Sequence, residues 1–569
     1  MAQSPPNEIL QEIFKHFVND IDYLHSCLLV NKIWSSNVVP VLWNRPFHLL
    51  LHNHINLSHQ IISTYLACLD NEERSKLDIN GISRSYYSSQ LSSQSSPCSF
   101  DSSLSTIFDL PLSYSVIPSH PPTYNYPSFL RHLSYFSFIA SVQEWCAVNN
   151  NWNPYAMRKI VQALFRLFAK FSPGLETLVF VMDMDMSLDL AANGLLLFDE
   201  NHHDFDGVIT SANSTLNVKR NWSILLDPIV CNWMSHIKEI ELAGDFVIDQ
   251  NFPVLLTICK NLKKMEIRLP DFEYDEDGKH YDCSVEMSAR FLKVQRGLEQ
   301  FTLRESHYPK AIGAALIRQK SSLRHVEFID TVFDNRCPLD WLPYCTHLES
   351  LTFIDSEMLI PKILTPLRLA PLKRLKSLTF REDPVPTDIL QILIHSSNVN
   401  LQEIVFGWPE DCRQDGHSYI LDSISKFCPF LTKLGATIGR HEISELFLIL
   451  SNCRYLQCLE IYGNGCLLEV NEFLPELGKF LPTTLGELDI GARWRFRSDI
   501  LARFLENSKH VSLYKFVIQI CDFINEEHLR VIVRHSMNSL KYFTLWNKNF
   551  SVTQDGIGKA SEWLRKSVS

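Results

Sequence analysis

Three groups of residues in this chain carry side chains that could do chemistry. His202-His203-Asp204, followed by Asp206, offers imidazoles and carboxylates of the kind that hold zinc. Its spacing aims no two rings at one ion, and the surrounding stretch is rich in Asn, Asp and His, so a solvated loop is expected. Residues 273–278, EYDEDG, begin like a calcium loop, with acids at the first, third and fifth positions and glycine at the sixth. Such a loop needs a bidentate Glu at its twelfth position, and Ser284 stands there, so a surface loop is expected instead. The third group is the cysteines, fifteen of them scattered from Cys27 to Cys521. No two are spaced C-x-x-C, which argues against a zinc knuckle or a redox dithiol and for buried thiols in a reducing compartment. No G-x-S-x-G, P-loop, H-E-x-x-H or G-x-G-x-x-G stands in a fitting context. The expectation is a protein with no catalytic, cofactor or metal site, which acts by binding.

The chain's bulk sets what kind of binder. At 569 residues it exceeds the roughly 250–300 at which single cores stop growing, so it holds several domains or a repeat array. Apolar residues make up 46% and charged residues 21%, an ordinary globular mixture that excludes wholesale disorder. A net charge of −11 gives no basic field for a nucleic-acid backbone. No signal-peptide pattern opens the chain and no run of 18 apolar residues crosses it, so no membrane is expected and the setting is cytoplasmic or nuclear.

Residues 1–48 are dense in large apolar side chains. Ile9, Ile13, Phe14 and Phe17 fall on one helical stripe, with Pro6 and Glu8 suited to its start. Asp22 reads as the N-cap of a second short helix carrying Leu24, Cys27, Leu28 and Val30. A third is expected from about Asn31 to Val38, ended by Pro40. Three helices of this size cannot bury all of these side chains among themselves, so part of the set argues for a partner surface.

The same residues carry a resemblance. Pro6-Asn7-Glu8-Ile9-Leu10, Ile13-Phe14, Cys27-Leu28-Leu29-Val30-Asn31-Lys32, Trp34, and Val38-Val39-Pro40-Val41-Leu42-Trp43 come in the order of an F-box, of the type found in large fungal families. Pro5 stands where that family usually has Leu. The resemblance implies a three-helix module that docks onto a Skp-family adaptor and through it joins a cullin-based ubiquitin ligase. By motif match Pro6, Ile9, Leu10, Ile13, Leu28, Val30, Trp34, Val38 and Trp43 would carry that contact or the module's own core.

Residues 49–128 read as a connector: a helical pattern from His59 to about Leu77, then a Ser- and Pro-rich flexible insertion over 83–128. From 129 to 569 the chain repeats. The unit is apolar–x–x–apolar–x–apolar, beginning at Leu133, Leu175, Ile237, Leu262, Leu298, Leu323, Leu348, Leu375, Leu401, Leu456, Leu485 and Leu540, with weaker copies at Leu431 and Leu513. From Ile237 onward every interval but one lies between 25 and 30 residues, within or close to the leucine-rich-repeat range. Helical stretches lie between the copies, with Thr387 and Ser498 expected as N-caps. A polar insertion near 183–221 lengthens one early copy. The expected fold is α/β: a three-helix module followed by a leucine-rich-repeat horseshoe with parallel strands on its concave face. Cys259, Cys345, Cys428 and Cys453 each stand three residues before a strand-opening Leu, a position that resembles cysteine-containing repeats found with many F-boxes.

Strand side chains alternate, so the residue between the last two apolar positions faces the concave side. Glu241, Glu266, Glu327, Glu460 and Asp489 stand there, with Thr302, Thr352, Thr379 and Thr544 among them. Such a surface favours a protein target that carries Lys or Arg, with Arg268, Arg304, Arg381 and His325 nearby softening the acidic field. The reading is a substrate receptor of a ubiquitin ligase without catalytic residues of its own. The alternative is a repeat scaffold whose helices serve another task.

Overall fold

A computed structural model describes residues 6–48, 58–77, 122–149, 154–180, 224, 226–243, 252–269, 281–334, 338–368, 372–381, 387–407, 418–463, 467–521, 524–535, 540–547 and 550–555. Its contacts divide the chain into two compact units, Met1–Met265 with Val294–Arg296, and Glu266–Lys293 with Gly297–Ser569. The His202 group, most of the Ser-rich insertion, the 183–221 insertion and the EYDEDG segment lie outside the described residues. Ser284 is described, and it is buried in the helix Tyr281–Val294.

The first unit opens with α1 (Asn7–Lys15), α2 (Ile21–Leu28) and α3 (Lys32–Leu42). Their core is Leu10, Phe14, Leu24, Cys27 and Val38, with Phe17, Leu28, Trp34, Val41 and Leu42 packed against it. Asn37 is buried with them and satisfied: it accepts from Gln11 at 3.0 Å and donates to Asn7 at 3.1 Å, tying α3 to α1. Two expectations change. The cap of α2 is Asp20, which accepts from the Tyr23 N–H at 2.9 Å, so Asp22 sits in the first turn. Pro40 lies inside α3 instead of ending it. Proline inside a helix costs about 3 kcal/mol. Burial of Val38 and Val39 and the Trp43 N–H bond to the Val39 carbonyl at 3.0 Å hold the last turn in place.

Helices Ser58–Ala67 and Asn71–Lys76 follow, then strands β1 (His132–Ser134), β2 (Thr177–Phe180), β3 (Glu239–Ala243) and β4 (Lys264–Arg268). Strands β1, β2 and β3 are parallel neighbours in chain order. Leu133 pairs with Leu178, so it fills the second apolar position of its copy, and Leu130 is the opener. What reads as the rest of that strand is the helix Tyr135–Val148. Tyr135, Phe138, Ile139 and Val142 are buried along it, so the apolar spacing served a helix as well as a strand.

The three-helix module is fused to these strands. The Asn44 carbonyl accepts from the N–H groups of Arg131 and His132, both at 3.0 Å. Arg131's own carbonyl does the same for Glu176 and Thr177, and Glu176's for Lys238 and Glu239. The module thus ends in the acceptor that every repeat here presents to the next. Trp43 packs edge-on to Tyr65 and tilted against Tyr126, and Phe47 stacks on Tyr65 and meets Phe138 edge-on, which buries the join.

The second unit continues the pattern with β5 (Gln300–His307), β6 (His325–Val332), β7 (Ser350–Ile354), β8 (Ser377–Arg381), β9 (Glu403–Gly407), β10 (Lys433–Thr437), β11 (Cys458–Tyr462), β12 (Leu468–Glu469), β13 (Glu487–Gly491), β14 (Trp494–Arg495), β15 (Lys515–Gln519), β16 (Tyr542–Asn547) and β17 (Phe550–Asp555). From β5 the main sheet runs parallel in chain order through β11, β13, β15 and β16, and only β17 pairs antiparallel. Strands β12 and β14 form a separate two-stranded ladder. The weak copies at Leu431 and Leu513 are full members, as β10 and β15. Alternate residues are buried, and Phe328, Phe353 and Phe380 stack at 5.3 and 5.1 Å from repeat to repeat. This is the α/β, parallel-sheet arrangement of a leucine-rich-repeat solenoid. Ser498 is the first residue of the helix Ser498–Asn507, and Arg497 holds the cap position without a side-chain capping bond. Thr387 likewise opens its helix, Thr387–Ser397.

Candidate functional site

Two surfaces result. On the three-helix module Ile9, Ile13, Tyr23, Leu29, Val30 and Ile33 are 43% to 78% exposed. The helical stripe read from the sequence is split: Phe14 faces the module's core, with Phe17 packed against it and Leu10 beside it, while Ile9 and Ile13 face outward. Of the motif residues, Pro6, Ile9, Ile13 and Val30 are exposed, Leu28, Trp34 and Trp43 are half-buried, and Leu10 and Val38 are core. Trp34 lies edge-on to Phe14 at 5.4 Å, and Trp43 faces the connector through Tyr65 and Tyr126. Leu29 and Ile33, outside the motif-matched set, extend the outward face. The crowding of the segment signalled them, but only the helix phase shows which side they take.

The second surface is the open face of the strands, opposite their buried positions. Glu241 stands there on β3 beside Val179 of β2. In the second unit Glu266 accepts from Arg304 Nε at 2.9 Å, with Arg268 at 3.8 Å, and Glu327 accepts from Thr302 at 3.1 Å. Glu460 binds Lys433 at 2.7 Å and Arg381 at 3.0 Å and also accepts from the Tyr462 hydroxyl. Burial alone would raise its carboxyl. The Lys433 and Tyr462 bonds outweigh that and hold it below its ordinary value. Arg381 comes from β8, and the open-face positions of the intervening β9 and β10 include two residues without side chains, Gly407 and Gly435. A Cβ at Gly435 would lie 2.9 Å from Val405 and 3.3 Å from Glu460, so glycine is required for this packing.

The ladder brings Glu460 and Asp489 together as direct partners on β11 and β13. It keeps Glu266 and Glu327 apart, on β4 and β6. The face is less acidic than one row of residues suggested. Strand alternation places residues two before and two after on the same side, which adds Lys433 and Lys515 on one flank and Arg268, Arg304 and Arg381 on the other. Of these, Lys433 and Lys515 escaped the sequence reading, which an extension by two residues toward the strand start would have found. Three and four residues past the open-face position stands a repeated acid-then-hydroxyl pair: Glu305-Ser306, Asp330-Thr331 and Asp355-Ser356. The acids have φ of 49°, 50° and 52°, and the hydroxyl residues after them are buried.

Cys259, Cys345, Cys428 and Cys453 are buried, and burial pushes each thiol up to about 12, which makes them inert. Among the described residues no group of His, Cys, Asp and Glu could hold a metal ion, and no helix is long and apolar enough to cross a membrane.

Neither a family model nor a curated protein matches the chain. A solved leucine-rich-repeat protein of Leptospira interrogans is similar over 56% of this chain and 74% of its own, at 13% identity and a TM-score of 0.29.

Proposed function

We propose that this protein is a non-catalytic substrate receptor of a cullin-based ubiquitin ligase. Its three-helix module, read as an F-box, docks on a Skp-family adaptor, and its repeats hold a protein target. The observation that carries this is the exposed apolar face of Ile9, Ile13, Tyr23, Leu29, Val30 and Ile33 on a module whose core is already complete without it. Fully burying one such side chain is worth about 1.5–3 kcal/mol, so a partner that covered the face would bind through it strongly. The cytoplasm or nucleus is the setting this role requires. Purification of the full chain from native cells, scored for adaptor and cullin, tests it. Their joint recovery supports the reading, and recovery of neither contradicts it.

One observation favours a second reading. The Asn44 carbonyl continues the repeat-to-repeat bonding, so the helices could serve as the cap of the array in a binding scaffold with no link to ubiquitin. A cap needs its inner contacts at Trp43 and Phe47 but has no use for the outward apolar face. Outward substitutions therefore separate the two.

A further inference from the structure

The open face of β11, β13 and β15 carries one carboxylate that its neighbours leave unmatched. Glu460 has Lys433 and Arg381, and Glu487 has Lys515 at 3.2 Å and the Tyr514 hydroxyl. Asp489 lies half-buried between them, directly across the ladder from Glu460. The bond it accepts comes from a neutral amide, Gln519 Nε2, at 3.2 Å. Among the described residues no ion pair reaches it. Burial and the Glu460 charge push its carboxyl up to about 6, against weaker pulls from Lys515, the Gln519 amide and Arg381. Gly491, two residues on and on the same face, adds no side chain that could shield it. A Cβ there would lie 3.5 Å from the Gln519 amide and 3.8 Å from the Tyr462 ring.

Burial beside a like charge costs the fold stability, and strained electrostatics of this kind gather where a ligand supplies the missing charge. We propose that Asp489 is the point at which the repeats receive a lysine or arginine side chain of a bound protein segment, with the Tyr462 ring beside the stem of that side chain. The cation restores balance: it pairs with Asp489 and relieves the repulsion from Glu460, while Lys433 and Arg381 stay with Glu460. This deepens the target-binding part of the proposed function and rests on it.

The groups facing Asp489 are Glu460, Tyr462, Arg381, Lys515 and Gln519. Its own ionisation sets the pH dependence: binding weakens as pH falls through about 6, where Asp489 takes up a proton.

The test is selection of a displayed random dodecapeptide library on the full-length protein, followed by a double-mutant cycle. Selected peptides should share a Lys or Arg. Replacing that residue with norleucine should weaken binding to the wild type at least tenfold, and to Asp489→Asn less than twofold. No enrichment, or an equal loss on both proteins, overturns the proposal. The Asn variant keeps the side-chain shape, and its melting temperature at pH 7.5 verifies that it folds. Adaptor binding measured on the same preparations separates the two claims. A failed cycle with intact adaptor binding removes only the Asp489 assignment, and an intact cycle without adaptor binding removes only the ubiquitin-ligase reading.

Discussion

The three-helix module and the open face of the second unit's strands differ in where they leave their unfinished contacts. The module completes its core with Leu10, Phe14, Leu24, Cys27 and Val38 and still presents large apolar groups to water. Across β11, β13 and β15 the strand face completes its charges internally, Lys433 with Arg381 to Glu460 and Lys515 to Glu487, and leaves one carboxylate over. Apolar excess gives affinity with little discrimination, whereas a polar face with one unmatched charge gives discrimination with little affinity. A receptor that keeps one constant partner and selects another would divide its surfaces in this way.

The largest effect belongs to the buried side of the strands. Leu351 is fully buried on β7, between β6 and β8. Leu351→Asp places an unpaired charge there and should cost more than about 4 kcal/mol, an exceptional loss for one residue. Hydrogen exchange should rise across β6 and β8 as well as β7, because each repeat buries its apolar side against its neighbours. A rise confined to β7 would break the solenoid account of this unit.

Next comes the split stripe of α1. Leu10→Ala removes a core side chain and should cost about 2–5 kcal/mol in urea unfolding. Ile9→Ala, one residue away and exposed, should cost less than about 0.5 kcal/mol. Equal losses would mean that the outward face is packed after all, and its availability to a partner would be refuted.

The smallest effect concerns Asp489. Its ordinary value near 3.8 rises to about 6 in the fold, so the ionised form is disfavoured and its cost is fully present above pH 6. As pH falls from 6 toward 3.8 the folded state takes up the proton and that cost fades. Asp489→Asn should therefore raise the melting temperature above pH 6 and lose the advantage by about pH 4. A gain independent of pH would show that charge is not its source.

The repeats were legible because spacing accumulates: no single apolar–x–x–apolar–x–apolar match means much, yet a run of intervals near 27 does. Their first copy was misread, since Leu133, Phe136 and Phe138 fit the repeat unit while Tyr135, Phe138, Ile139 and Val142 fit a helix, and only pairing with β2 makes Leu130 the opener. Caps slipped by one or two residues at Asp20 and Ser498, where adjacent polar residues compete for the role. The acids of the open face were found, with Arg268, Arg304 and Arg381 near them, but Lys433, Lys515 and the pairing of each cation with its acid were not. Arg381 reaches Glu460 from 79 residues away in sequence, a contact that no local pattern announces. The join at Asn44, Trp43 and Phe47 was hidden for the same reason, with the connector and the Ser-rich insertion lying between its two sides in sequence.

The central claim is that the outward apolar face of the first helices binds a Skp-family adaptor while the module's fold stands without it. The direct measurement is calorimetric titration of the purified full chain with that adaptor, for wild type and for Ile9→Asp with Ile13→Asp. The wild type should bind at submicromolar concentration, and the double variant should bind at least a hundredfold more weakly with an unchanged unfolding transition, a loss of about 2.8 kcal/mol at 1.4 kcal/mol per tenfold. No binding by the wild type at micromolar concentration, or equal affinity for both proteins, would contradict the account.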